Sequence, residues 1–471
     1  MISRGLVPDF PDEVFADLKK ITGPATYNAA VCSDMRHLLW CSVDNDDSLD
    51  LDQLSAAEPL PDHQVKLYVA IADVDALVAK QSNIDQYAGQ NTATVYTVAA
   101  LFPMLPEKLS TDFTSLSLEA DRCALVVEML VTNDGAVEKS DVYRAIVRNR
   151  AKLQYESLGA WLEGNGPIPM EIKKVEGLAE SIRLQDRIAQ KMKELRYEHG
   201  ALDFDTIETR PVFEGNTLSE MKVENKNRAK NLIEDFMIAA NGATARYLAT
   251  HHFPSLRRVV RTPKRWDRIR ELASEYGYSL PEKADSKSLS AYLKYIRQNY
   301  SQHFTDMSLS VLKLLGAGEY VVETPGKPSE GHFELAVKDY THSTAPNRRY
   351  PDLVTQRLLK SVMSGHAVPY STGQLEEIAH HCTLKENDIK KVERLVEKSA
   401  TAMLLETRIG ETFEAIVSGA SPKGTWIRLF HPHVEGKLVN GYRGLEVGNK
   451  IKVRLIEIDI EAGFIDFERV E

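Results

Sequence analysis

The hydrophobic pattern of the chain changes period along its length. From Leu38 the apolar residues come in short runs: Leu38 to Val43, the near-continuous Val65 to Ala72, and Val126 to Val131. Runs of this length bounded by turn residues predict strands. The last run is followed by Asn133-Asp134-Gly135, whose tolerance of positive φ marks a hairpin. Phe102-Pro103-Met104-Leu105-Pro106 reads as a loop fixed by its prolines. The spacing then lengthens to three and four. Val175, Leu178, Ile182, Ile188, Met192 and Leu195 form one helical stripe, and Leu232, Phe236, Ala239, Ala240 and Ala243 form another whose small residues permit close packing. A further helix is expected from about Thr372 through Ile389, Val392, Leu395, Val396, Ala400 and Met403, ending at Gly410.

Beyond Gly410 short strands return: Phe413 to Val417, Thr425 to Phe430 and Lys450 to Ile458. Ile451, Val453 and Leu455 alternate with Lys452 and Arg454, giving a half-buried strand with a basic outer face. Short strands over residues 410–471 suggest a small barrel of the OB type, a module for single-stranded nucleic acid. Trp426, Phe430 and Tyr442 are the candidate base-stacking side chains, although a barrel core takes the same residue types and is the favoured reading for each alone. The expected architecture is α+β: a mixed sheet-and-helix domain over 28–409, preceded by a short extension (1–27) and followed by the small all-β barrel.

Composition narrows this picture. A length of 471 residues suits two or three domains, and 43% hydrophobic content suffices for real cores. The four cysteines (Cys32, Cys41, Cys123, Cys382) form no CxxC pair, which argues against a disulfide framework or zinc site and suits a reducing cytoplasm. His380-His381-Cys382 lies in a helical pattern, where adjacent side chains point different ways. Met1 to Glu13 has no apolar leader core, and no apolar run approaches the ~18 residues of a membrane span, so a cytoplasmic protein with no membrane partner is expected. The net charge of −10 counts against nucleic-acid binding only if charge is evenly spread. It is not: Arg257, Arg258, Arg261, Lys264, Arg265, Arg268 and Arg270 crowd one stretch, a candidate RNA path unless they are ion-paired or solvated.

The candidate chemistry begins at Asp44-Asn45-Asp46-Asp47-Ser48-Leu49-Asp50-Leu51-Asp52-Gln53. Carboxylates this crowded raise one another's pKa unless a counter-charge is present. A solvated acidic loop is one reading. An EF-hand is excluded, because Leu49 and Ser55 stand where it needs Gly and Glu. A hard cation such as Mg²⁺, held by one or two carboxylates with water and substrate phosphate, is the chemical reading. Asp50 and Asp52 share a face if the segment is extended. Far downstream, Tyr340-Thr341-His342-Ser343-Thr344-Ala345-Pro346-Asn347-Arg348-Arg349-Tyr350-Pro351-Asp352-Leu353 holds an Arg pair between prolines, and Arg is the residue for bidentate phosphate contact.

Together these stretches resemble the ribonuclease II/ribonuclease R family with its RNB catalytic domain. Asp44, Asp50 and Asp52 match its Asp-x₅-Asp-x-Asp-Asp signature, and Tyr340 through Leu353 its Tyr-x-His-x-Thr-Ser-Pro-Ile-Arg-Arg-Tyr-x-Asp-Leu signature. Val69 to Asp73, Phe102 to Leu105, Gly200-Ala201-Leu202 with Phe204, Met237 to Asn241 and Gly331-His332-Phe333 follow in family order, and the tail is similar to the S1-type OB domain of these enzymes. The resemblance implies processive 3′→5′ hydrolysis of single-stranded RNA to nucleoside 5′-monophosphates. Asp44, Asp50 and Asp52 would organise Mg²⁺, with Mn²⁺ as the substitute. Asp52 and Arg348 would be catalytic, Arg348 holding the scissile phosphate with Arg349 beside it. Tyr96 and Phe204 would clamp the terminal base.

Three departures stand out. Gln53 replaces the fourth aspartate; its carbonyl can still ligate a hard cation but brings no charge, so it is a candidate metal position that lowers affinity or rate. Ser343, Ala345 and Asn347 replace the usual Phe, Ser and Ile, and Glu334 a Gly. The 27 leading residues are too few for a cold-shock domain, so weaker single-strand affinity is expected. A different class of function, an RNA-binding protein on a weakened or retired catalytic domain, would be marked by Gln53. Retention of Asp44, Asp50, Asp52 and Arg348 together argues against it.

Overall fold

A computed structural model describes residues 1–27, 32–205, 208–214, 217–224, 226–327, 330–421, 424–432 and 434–470. Its first half is built on β1 (Ser33–Asp34), β2 (Cys41–Asp44), β3 (Gln53–Pro59), β4 (Val65–Ala72), the small hairpin β5 (Val95–Tyr96) and β6 (Leu101–Phe102), then β7 (Asp121–Val131), β8 (Val137–Arg148) and β9 (Ala151–Gln154). Seven of these form one mixed sheet in the order β1-β8-β7-β4-β3-β2-β9. Its two parallel pairs, β1 with β8 and β2 with β9, lie at the ends. Leu67 through Ala72 of central β4 are buried without alternation, which explains the near-continuous apolar run. Gly135, at φ 91°, makes the expected turn between β7 and β8. The strand expected from Leu38 begins only at Cys41: buried Trp40 spends its indole N–H on the Met35 carbonyl (2.8 Å), which holds the chain in a turn.

The helices are α1 (Asp12–Leu18), α2 (Asn83–Asn91), α3 (Tyr155–Leu162), α4 (Met170–Lys173), α5 (Leu178–Glu198), α6 (Arg228–Thr250), α7 (Trp266–Glu275), α8 (Ser286–Asn299), α9 (Phe304–Leu315), α10 (Tyr350–Met363) and α11 (Thr372–Leu405). The α5 and α6 stripes face the sheet. Two ribbons, β10 (Glu208–Glu214) with β11 (Thr217–Glu224) and β12 (Ser255–Val259) with β13 (Glu319–Glu323), stand apart from it. Helices α7, α8 and α9 gather a second core around Trp266, Ile269, Tyr292 and Val311. Residues 1–27 are more than an appendage. Leu6 and Val14 are buried, and the Val7 backbone bonds the Asn91 side chain and the Tyr87 hydroxyl. The expected boundary at residue 28 falls outside the described residues.

Helix α11 opens on a capping box made by Ser371 and Gln374 and ends at Leu405, short of the expected Gly410, which follows a 3₁₀ turn (Glu406–Arg408) at φ 92°. At 34 residues it is roughly 50 Å long. It packs on the main core through Leu375, Ala379 and Cys382, on Leu6 through Ile389 and Val392, and on the C-terminal barrel through Ala402 and Leu405. That barrel is closed by five strands, β14 (Thr412–Ser421), β15 (Gly424–Leu429), β16 (Glu435–Asn440), β17 (Lys450–Asp459) and β18 (Phe464–Arg469), ordered β14-β15-β16-β18-β17. Thr425, Ile427 and Leu429 point inward. Trp426 and Phe430 therefore lie on the outer side, each only partly buried, and Tyr442 is exposed, against the core reading of all three. Lys437 pairs across from Trp426, and Lys450 sits over the Phe430 ring.

Candidate active site

The acidic stretch leaves the sheet at the end of β2 and re-enters it at β3. Lys152 on β9 holds the intervening loop through the Asp46 and Ser48 carbonyls. Ser115 clamps its return, donating to the Leu49 carbonyl (2.7 Å) and accepting the Leu51 N–H (3.1 Å). Leu51 is buried between Asp50 and Asp52, as an extended segment requires. Asp44 and Asp50 are partly buried, whereas Asp52 is only 2% exposed. Asp46 and Asp47 are exposed, and the charge of Asp47 acts on Asp50.

The arginine loop is pinned over this stretch from several sides. Asn241 of α6 accepts the Ser343 N–H, Asp352 accepts the Ala345 N–H, and the Arg348 carbonyl accepts the Thr94 N–H (2.9, 2.9 and 3.0 Å). The Asn347 N–H donates to Asp52 Oδ1 at 2.9 Å, joining residues 295 positions apart. Arg348 Nε lies 3.5 Å from Asp52 Oδ2, with its side chain 43% exposed. Arg349 behaves differently from the expected RNA contact. It turns inward to Asp352 Oδ1 (2.7 Å), beside Tyr320, Tyr340 and His342, because a buried carboxylate there requires a cation. His342, against the Tyr320 hydroxyl (2.7 Å), is held neutral by burial and then by Arg349 and Arg258.

Burial, and then the Asp50 charge, pushes Asp44 up to about 7; burial pushes Asp52 to about 7 against the pull of Arg348. Asp50 is raised as well, again chiefly by burial. Asp44 Oδ2 and Asp52 Oδ2 are buried and accept no hydrogen bond. Carboxylate oxygens left so are what a hard cation would satisfy, and the oxygen donor set suits Mg²⁺ or Mn²⁺ better than a soft metal. Among the described residues no three His, Cys, Asp or Glu side chains, Asp44, Asp50 and Asp52 included, are grouped so that they could hold a metal ion by themselves. An ion that keeps water and substrate phosphate among its ligands needs no such group. Gln53, the first residue of β3, is paired in register with Ile71, is buried, and its amide makes no hydrogen bond to the described residues.

These shifts predict a pH dependence. Above the ordinary value of 3.8, Asp44 and Asp52 bind protons more tightly in the folded chain than in the unfolded one. Their contribution therefore lowers stability as pH rises from about 4 to 7 and is constant above that. A cation must displace the same protons, so Mn²⁺ affinity, titrated from about pH 5.5 to 8.5, is expected to rise steeply to about 7 and then level off. A flat profile would mean that these carboxyls do not hold the ion.

The sequence did not single out Tyr155, the first residue of α3, directly after the β9 residue Gln154 that pairs with Asp44; its hydroxyl is held protonated by burial and then by the Asp44 carboxylate. The signal was available, since β9 runs parallel to β2 and ends level with it. Tyr96, 48% exposed with its hydroxyl 3.5 Å from Asp50 Oδ2, is at the site as expected. Phe204 is not. It is 7% exposed in the second core among Leu202, Trp266 and Phe304, and no described ring contact joins it to Tyr96. In this structure the pair forms no clamp, because the apolar side of α7 to α9 claims the Phe204 ring.

The basic run is also reassigned. Arg257 is buried against Glu323 and Asp339, Arg258 against Glu386, and Arg261 pairs with Glu319 and Glu330. Arg268 and Arg270 pair within α7, with Glu271 and Asp267. These are structural ion pairs rather than a free cationic track. Likewise His381 bonds the Gln90 carbonyl and Cys382 is a buried free thiol.

Comparison with known proteins agrees with this geometry. The RNB domain model matches residues 32–365, and the model for the RNase II-type exonuclease C-terminal S1 domain matches residues 411–470. Ribonuclease R 1 of Lactococcus lactis is 27% identical over 500 residues, covering 99% of this chain and 60% of its own length. Ribonuclease R of Aquifex aeolicus is 29% identical over 467 residues, covering 93% and 65%. The chain thus spans about three fifths of the length of these relatives. In fold it is similar to Mycoplasma genitalium RNase R in complex with ribose-methylated single-stranded RNA (TM-score 0.89, 24% identity, 100% of this chain and 77% of that one). It is similar also to yeast Ssd1, a pseudonuclease (TM-score 0.70, 16% identity, 88% and 51%). With its sheet, carboxylate loop and arginine loop all inside the matched span, the chain belongs to the RNB domain family.

Proposed function

We propose that this protein is a 3′→5′ exoribonuclease that hydrolyses single-stranded RNA to nucleoside 5′-monophosphates, with Mg²⁺ as its ion and Mn²⁺ as a substitute. The observation that carries the reading is the meeting of two remote motifs: the buried Oδ2 atoms of Asp44 and Asp52, which accept no hydrogen bond from the described residues, lie under the influence of the Arg348 charge, 3.5 Å from Asp52. A divalent cation bound there supplies charge neutralisation and an activated water for in-line displacement. Asp44, Asp50 and Asp52 provide its oxygen ligands, with the Gln53 carbonyl as a neutral fourth. Arg348, held near Asp52 with its side chain 43% exposed, grips the scissile phosphate and stabilises the charge that develops on it. The Tyr96 ring offers a face to the terminal base. Residues 28–409 then form the catalytic unit, and the barrel (410–471) presents Trp426 and Phe430, with Lys437 and Lys450, to the strand. Among the described residues no helix is long and apolar enough to cross a membrane, and the described cysteines are free, which suits action in the cytoplasm.

The test is 5′-labelled single-stranded RNA incubated with Mg²⁺, with EDTA and against matched DNA. Stepwise shortening of RNA alone that EDTA stops supports the reading; tight binding without shortening in either metal favours the RNA-binding alternative that Gln53 suggests. Restoring the carboxylate as Gln53→Asp is expected to lower the Mg²⁺ concentration for half-maximal rate by roughly 3–10-fold, an added charge being worth about 1 kcal/mol in a partly solvated site. An unchanged Mg²⁺ titration would remove Gln53 from the ion's surroundings.

A further inference from the structure

Asn347 stands where the resemblance expects Ile, and it is 1% exposed. An amide in so dry a place is costly unless it is fully bonded. Among the described residues its one side-chain partner is Thr114, whose Oγ1 lies 2.5 Å from Asn347 Oδ1 and 2.8 Å from the Leu109 carbonyl. The amide nitrogen Nδ2 is buried with no partner among the described residues. Were the amide turned over, Nδ2 would donate to the Thr114 hydroxyl and that hydroxyl to Leu109, but the other end of the amide would be left over instead. In either arrangement one polar group goes unsatisfied, at about 1–3 kcal/mol. An apolar residue would avoid that cost, so folding alone does not account for asparagine here.

The same residue's backbone N–H is the donor that fixes Asp52 Oδ1. Thr114 is followed directly by Ser115, which clamps Leu49 and Leu51 on either side of Asp50. One short segment therefore grips both halves of the site: the acidic loop through Ser115, and the arginine loop through Thr114 and Asn347. With Asp52 Oδ1 occupied, Oδ2 is the oxygen left without a hydrogen bond among the described residues, on the side of Arg348. Gln53, adjacent to Asp52, brings no charge, so the aim of the remaining carboxylates matters more.

From this we infer that Asn347 is a positioning residue: its side-chain tie to Thr114 holds its own N–H on Asp52 and so orients Asp52 Oδ2 toward the divalent ion. The inference rests on the proposed metal-dependent nuclease reading and adds a residue to it.

The experiment compares Thr114→Val, Asn347→Leu and their double variant in the full chain, with Thr114→Ser as the conservative control. Two readouts are taken: Mn²⁺ binding, followed by the paramagnetic resonance signal of free Mn²⁺, and steady-state cleavage of single-stranded RNA. Each single variant is expected to bind Mn²⁺ about 3–10-fold more weakly and to lose about tenfold in kcat with KM for RNA unchanged. The double variant should be no worse than Thr114→Val alone, because all three variants break the Thr114–Asn347 bond and only the Thr114→Val change also loses the bond to Leu109, and Thr114→Ser should restore both readouts. Thermal melting of each variant identifies any that fails to fold, and in that event Thr114→Val against Thr114→Ser carries the comparison. Unchanged Mn²⁺ affinity and kcat in folded variants would overturn the inference while leaving the nuclease reading intact, as would additive losses. Wild-type protein that binds Mn²⁺ through this tie but cleaves no RNA would sustain the inference and defeat the nuclease reading. No Mn²⁺ binding by wild type would defeat both.

Discussion

Asp52→Asn is expected to abolish RNA cleavage, lowering kcat by roughly three orders of magnitude, while raising the melting temperature of the metal-free protein. Both effects come from one buried carboxylate. Asn has nearly the same shape, and its side-chain oxygen can still accept the Asn347 N–H that Asp52 Oδ1 accepts at 2.9 Å. It lacks the charge that would organise a divalent cation, a loss of several kcal/mol of transition-state stabilisation. In the absence of metal the same charge is a burden. Burial raises the Asp52 pKa from 3.8 to about 7, so at pH 8 ionising it costs the fold on the order of 4 kcal/mol. Removing it should raise the melting temperature by several degrees in EDTA at about pH 8, and the gain should shrink as pH falls toward 4. Calorimetry and the cleavage assay on one preparation check both halves. A variant that melts lower than wild type would make Asp52 a structural anchor, and one that still cleaves would remove it from the chemistry.

The second large effect separates two adjacent arginines. Arg348→Lys is expected to lower kcat by about 10²–10³-fold with little change in melting temperature. Arg349→Lys should do the reverse, losing about 1–3 kcal/mol of stability. Arg348 is half exposed, touches Asp52 only at 3.5 Å, and leaves its guanidinium available to a phosphate, where the flat two-pronged donor is not matched by an ammonium group. Arg349 already serves Asp352, which itself receives the Ala345 N–H, so that pair holds the loop's shape from within. Steady-state kinetics alongside urea unfolding of the two variants separates these roles. Equal losses of kcat in both would restore Arg349 as a direct RNA contact.

Tyr96 and Phe204 illustrate the limit of reading a site by order along the chain. Both belong to segments placed by their sequence context, yet only Tyr96 reaches the carboxylates, because the Thr94 N–H donates to the Arg348 carbonyl and the Tyr350 N–H to the Thr92 carbonyl, tying the chain just before that hairpin to the arginine loop. Phe204 sits three residues after Gly200-Ala201 in a segment whose Leu202 also faces the second core, and two inward apolar neighbours carry the ring with them. The arginine run is a similar case. Positive charge was visible in the sequence, but Glu319, Glu323, Glu330 and Glu386, which neutralise it, lie up to 128 residues away.

Periodicity alone determined the central strands, the α5, α6 and α11 helices and the C-terminal barrel, because burial of alternate or every third and fourth side chain is a local consequence of strand and helix geometry. The two motifs pointed to the proposed chemistry only when taken together, since an acidic run or an arginine pair by itself is as readily a solvated surface feature. Only the tertiary structure decided which atoms meet: that Asp52 is capped by Asn347, that Arg348 lies against Asp52 while Arg349 turns to Asp352, and that Trp426 and Phe430 lie outside their barrel. Those outcomes depend on which buried charge finds which partner across hundreds of residues. That competition is settled by packing, and no local pattern records it.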